Sequence, residues 1–190
     1  LSIRPAFIEE IKTNGSIDWA FEFLNENNTS NLHIGISTLI LKQVQSHPEP
    51  SEKFNIEDFA ARCFTEIMPA IKANTKDFKN MNDLLDFMIP LIKISPKSVG
   101  PSNIIVVTSA ALAVNNENAN LILTCLNLLY ECAHQGLIDE LSSSKLPLNA
   151  AMKTLEKFPK NQTVVEKTVG FACLMNHPNI LHLKEVCESN

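Results

Sequence analysis

The sequence predicts an all-α chain, an α-solenoid of about four stacked helical repeats, and three observations carry that reading. The first is the stretch NANLILTCLNLLYECAH, from Asn118 to His134, nearly all of which after its leading Asn is apolar except for Asn120, Thr124, Asn127, Glu131 and His134. Their spacing of 4, 3, 4 and 3 sets them in one line along a helix. A helix apolar all round but for one narrow stripe is packed on several sides by other helices. The second is repetition. Residues 36–47, 123–134 and 166–177 align without gaps, each ending in His, with His134 and His177 43 residues apart and His47 87 residues before His134. The third is the near absence of strand patterning.

Each element follows from local chemistry. Pro5 to Lys12 reads as a helix with Pro in its first turn, closed by Asn14-Gly15. Ser16 caps a second helix, Ile17 to Asn25, with Trp19, Phe23 and Leu24 as its apolar face. Leu32 to Ser46 is the third. Asn55 caps Ile56 to Ala73, whose Phe59, Cys63, Ile67 and Ile71 share one face, and Pro69 predicts a kink or an early stop. Thr75 to Asn80 reads as a polar loop, after which Asn82 caps Asp83 to Ile94 with Pro90 inside it. Ser95 to Pro101 is a turn cluster. Ile104-Ile-Val-Val-Thr is β-branched enough for a strand. With helices predicted on both sides and no partner strand, Asn103 to Val114 is read as helix. The organising helix then stops at Gly136. A short turn at Leu137 to Leu141, a helix from Leu148 to Phe158 facing inward through Met152, Leu155 and Phe158, a helix from Thr163 to Asn176, and a last one from Asn179 to Cys187 complete the chain.

A chain of 190 residues with 45% hydrophobic and 19% charged residues can bury a sizeable core as one domain or one short solenoid. The net charge of −5 argues against a nucleic-acid partner and leaves room for a basic peptide. Cys63, Cys125, Cys132, Cys173 and Cys187 are odd in number and never in CxxC spacing, so buried reduced thiols and a cytoplasmic or nuclear setting are expected. No membrane span is expected, because Ile104 to Val114 is interrupted by Thr108 and Ser109 and is too short. The opening at Leu1 reads as that of a piece cut from a longer protein.

Within the repeat, Leu39, Leu126 and Val169 share one position and Leu41, Leu128 and Phe171 another; Asp83 to Ile94 ends where a fourth copy should. A period near 43 residues with two or three helices per unit marks a helical array whose units bury apolar faces on their neighbours. With the short helix after Gly136 and the longer pair that follows it, this pattern resembles the armadillo/HEAT family. The resemblance implies a right-handed superhelix in which the last helix of each unit lines a concave groove for protein partners.

Nothing in the sequence points to catalysis, a cofactor or a metal. His47, His134 and His177 fall in successive units and should be spread apart; a His at a helix C-terminus favours the dipole and can bond the last carbonyls. No Gly-rich phosphate loop and no nucleophile in a recognisable context occur. The polar stripe is the expected partner site. Asn120, Thr124, Asn127, Glu131 and His134 correspond to His33, Ser37, Ile40, Val44 and His47, and later to Thr163, Lys167, Gly170, Leu174 and His177. Asn120, Thr124, Asn127, Glu131, Lys167 and Ser37 are therefore expected to meet an extended protein or peptide segment. The alternative is a structural or regulatory segment that packs on a neighbouring domain of a larger protein, with an empty groove.

Overall fold

The computed structural model describes residues 5–49, 54–114 and 117–176. The described residues are helical with no strand, as expected. The chain divides into two compact units between Ser98 and Val99.

The first unit holds α1 (Pro5–Thr13), α2 (Ser16–Glu26), α3 (Asn31–Gln45), α4 (Ile56–Glu66), α5 (Met68–Ala73), α6 (Phe78–Ile94) and a 3-10 turn (Pro96–Ser98). Gly15, at φ 85°, supplies the left-handed residue between α1 and α2. Ser16 is not the cap expected of it. It is the first residue of α2, and its own N–H donates to Asn14 Oδ1 at 3.0 Å. Asn55 does cap α4, its side chain accepting from the N–H groups of Glu57 and Asp58 at 2.7 and 3.1 Å. The helix predicted from Ile56 to Ala73 is broken at Ile67. Pro69 cannot donate to the carbonyl four residues back and clashes with it, so a new helix starts with Pro in its first turn. Phe59, Cys63, Ile67 and Ile71 are all buried.

α6 begins five residues earlier than the sequence suggests, because Asp77 caps it by accepting from the N–H groups of Lys79 and Asn80. Asn82, the expected cap, lies inside the helix. The reason is tertiary. Asn80 is buried, and its Nδ2 donates to Asn74 Oδ1 at 3.1 Å and to the Thr29 carbonyl at 3.4 Å. Asn74 Nδ2 in turn donates to the Asn28 carbonyl. These amides tie the turn before α3 to the turn before α6. α6 continues through Pro90, and one turn upstream the Phe87 carbonyl accepts from Gln45 Nε2 of α3 at 2.9 Å.

In this unit α2 packs on α3, α3 on α6 and α4 on α6. Four side-chain bonds that run from helix to helix join residues at similar sequence separation, while those that reach a turn or loop span 37 (Lys12 to Glu49), 46 (Asn74 to Asn28) and 51 (Asn80 to Thr29). Asn25 meets Glu66 (41 apart), Gln45 meets Phe87 (42), Lys42 meets Asp86 (44) and Arg62 meets Asp18 (44). Phe21, Leu24, Leu41, Phe64, Leu84 and Phe87 are sealed in the core. Each such side chain contributes about 1.5–3 kcal/mol by leaving water. Trp19, which the sequence puts on the apolar face of α2, is 46% exposed. α2 carries two apolar edges, and the one formed by Ala20, Phe21 and Leu24 faces inward.

The second unit holds α7 (Val99–Ser102), α8 (Ile104–Val114), α9 (Ala119–His134), α10 (Ile138–Ser142), α11 (Leu146–Lys157) and α12 (Gln162–Leu174). Asn118 caps α9 through the Leu121 N–H at 3.1 Å, and Asn161 caps α12 through the Val164 N–H at 3.2 Å. α9 ends as expected at Gly136 (φ 80°), where the Leu137 N–H reaches back to the Cys132 carbonyl at 3.0 Å. α8 packs on α9 and α11, and α9 packs on α8 and α12, so first helix meets first helix and second meets second. Of the inward face expected for α11, Leu155 is buried and Met152 and Phe158 are half-buried. The expected helix from Asn179 to Cys187 lies outside the described residues, as does His177.

Leu41, Leu128 and Phe171, equivalent in the repeat, are all fully buried. The position of Leu39, Leu126 and Val169 is less uniform: Leu126 is sealed, Val169 half-buried and Leu39 61% exposed.

Candidate functional site

The polar stripe lies along α9, but its members do not share one environment. Asn120 and His134, at the two ends, are exposed, and Asn127 is half-buried. Thr124 and Glu131 are buried, at 8% and 9% exposure, and Glu131 Oε1 accepts from Gln135 Nε2 at 2.8 Å. A stripe spaced at 3 and 4 specifies a line along the helix, and it does not say how far neighbouring helices overlap that line. Here α8, α10, α11 and α12 all pack on α9 and close over parts of it.

Lys167 on α12 is half-buried, with Nζ 5.1 Å from the centroid of the Tyr130 ring on α9. The same ring stacks on His134, centroid to centroid 6.1 Å. It also touches α12 at Gly170, where a Cβ would stand 3.0 Å from Tyr130 Cε2. Tyr130 therefore organises the outer surface of α9 and α12, a role the sequence reading missed. The available signal was its place beside Asn127 and Glu131 on the organising helix. Around it, Asn127, His134 and Lys167 offer donors, acceptors, a cation and an aromatic edge to a passing chain.

Ser37 does not join this surface. It is fully buried in α3, and its Oγ has no hydrogen-bond partner. His33, one turn earlier, is half-buried and lies flat on Phe23 of α2. His47 Nδ1 is 2.9 Å from the Gln43 carbonyl, so this His does engage the last turn of its helix.

Burial pushes the Cys125 and Cys132 thiols up to about 12 and raises Cys63 further; beside Cys132 the carboxylates of Glu131 and Glu140 add to the effect. Thiols so raised are poor nucleophiles and poor metal ligands at neutral pH. Among the described residues no three His, Cys, Asp or Glu side chains converge on a point that could hold a metal ion. No single helix among them is long and apolar enough to cross a membrane. Comparison with protein-family models, with characterised proteins and with solved structures finds no match.

Proposed function

We propose that the chain is a non-catalytic interaction module, an armadillo/HEAT-like stack of helical repeats that holds a protein or peptide segment, along the outer surface of α9 and α12. The observation that carries the reading is register. In the first unit the four side-chain bonds that run from helix to helix join residues 41 to 44 apart, close to the 43-residue recurrence of the His-terminated stretches, while those that reach a turn or loop span 37, 46 and 51. The like-on-like packing of α8 with α11 and α9 with α12 supports it from the second unit. The partner surface consists of Asn127, His134 and Lys167 about Tyr130, with Asn120 toward the start of α9, and a reduced cytoplasmic or nuclear compartment suits the sealed thiols.

The test is a pulldown comparing the natural chain with Asn120→Arg/Asn127→Arg. Neither residue is buried, so the melting curve should not move, whereas Glu131→Arg would put a larger side chain of opposite charge into a closed site. Partners lost at unchanged stability support the proposal; the same partners recovered by the variant refute it. A second reading, a segment that packs on a neighbouring domain, draws on Phe7, Leu32 and Leu39. These side chains are 51%, 63% and 61% exposed, and Phe7 and Leu39 border an apolar cavity of about 260 Å³ with Ile11 and Ile40.

A further inference from the structure

We propose that the outer face of α2 is a second docking surface, built for a basic segment that presents arginine, with Trp19 as the anchor. Trp19 is the single Trp of the chain and is 46% exposed. Its indole lies nearly parallel to the Phe23 ring, centroids 4.7 Å apart at 13°. Phe23 lies nearly parallel to His33 of α3, at 4.1 Å and 17°. This three-ring stack braces the indole on one side and leaves the rest of it in water. A side chain held in place before a ligand arrives loses little rotamer freedom on binding. Trp and Arg are also enriched among the few residues that dominate the energetics of protein contacts.

Charge decides what the anchor receives. Asp18, Glu22 and Glu26 recur every fourth residue and form a line beside Trp19 and Phe23 on the same helix. Asp18 binds Arg62 of α4, which also lies 3.8 Å from Glu66. Among the described residues, no cation pairs with Glu22 or Glu26, and both are exposed. Arg62 thus serves Asp18 and Glu66, while Glu22 and Glu26, next to Phe23 on the helix, have no counter-charge among the described residues. A planar guanidinium satisfies both halves of such a surface, stacking on the indole while its N–H fork bonds a carboxylate. An ammonium would satisfy the carboxylates and gain less from the ring. The net charge of −5 favours the approach of a cationic segment from a distance.

Because the chain has one Trp, its emission reports this surface directly. A short Arg-Gly repeat peptide is titrated into the full chain, with Lys-Gly and Glu-Gly repeats as comparators. The expected result is a saturable change with Arg-Gly, weaker binding of Lys-Gly and none of Glu-Gly. Glu22→Gln/Glu26→Gln, two exposed substitutions that leave the circular dichroism unchanged, should weaken Arg-Gly binding about tenfold. Trp19→Leu, followed by calorimetry, should abolish the preference for Arg-Gly over Lys-Gly. The proposal is overturned by no saturable change with Arg-Gly, by equal affinity for Arg-Gly and Lys-Gly, or by undiminished affinity in the double Gln variant.

Discussion

Replacing Ser37 by Ala should stabilise the protein. The Ser37 side chain is fully buried in the middle of α3, and its Oγ has no partner. A hydroxyl desolvated without a hydrogen bond costs about 1–3 kcal/mol. Ala also gains about 0.5 kcal/mol as a helix former. Against these stands the packing lost with one oxygen atom, a fraction of the roughly 0.8 kcal/mol assigned to a methylene. The net expectation is a gain of about 1–2 kcal/mol. Thr38, the next residue, is an internal control. It is also buried, but its Oγ1 donates to the Ile34 carbonyl at 2.7 Å. Thr38→Val keeps the shape, loses the bond and should cost about 1 kcal/mol. Urea unfolding followed by circular dichroism decides, since a change in midpoint at constant slope is a change in stability. A lower midpoint for Ser37→Ala would mean that the hydroxyl is satisfied, and the placement of α3 against its neighbours would then be wrong. Loss of partner binding at unchanged stability would restore Ser37 to the contact surface from which its burial removes it.

Two further outcomes follow from the same packing. Asn55→Ala should cost about 1 kcal/mol, because the N–H groups of Glu57 and Asp58 lose their acceptor at the start of α4; a smaller loss for Asn55→Asp would separate capping from packing. Cys125 and Cys132 keep their protons in the fold up to about pH 12, against an ordinary value of 9.0. Their neutral form is the one the fold prefers, so stability is whole below about pH 9 and declines as pH rises from there toward 12. Urea midpoints measured across that window should fall, and Cys125→Ala/Cys132→Ala should flatten the decline once its lower starting stability is subtracted.

Much of this architecture was legible because helix ends have local chemistry. Asn55 and Gly136 act where their side chains and backbones say they should, and Pro69 ends a helix that apolar spacing alone would have run on to Ala73. What escaped was decided by contacts distant in sequence. The start of α6 depends on Asn80 reaching the turn at Thr29, and no local pattern marks that residue as buried. Helical spacing groups Trp19 with Phe23 on one apolar face, yet Ala20, Phe21 and Leu24 offer an equally good one and the fold buries it. The polar residues of α9 lie in a line, as their spacing requires, but they do not share one exposed surface. Periodicity groups residues on a helix, but the helices that cover them determine which of the group meets water, and so Thr124 and Glu131 are closed off while Asn120 and His134 are open.

The distribution of sealed thiols makes the molecule its own stopwatch. Cys63 lies in the first unit and Cys125 and Cys132 in the second, each shut away at zero exposure, whereas Cys173 is only half-buried. A thiol-specific reagent should modify Cys173 at once, and Cys63, Cys125 and Cys132 only when the surrounding helices part. The lag at Cys63 then times the breathing of one half, and the lag at Cys125 and Cys132 times that of the other, without a probe having to be introduced.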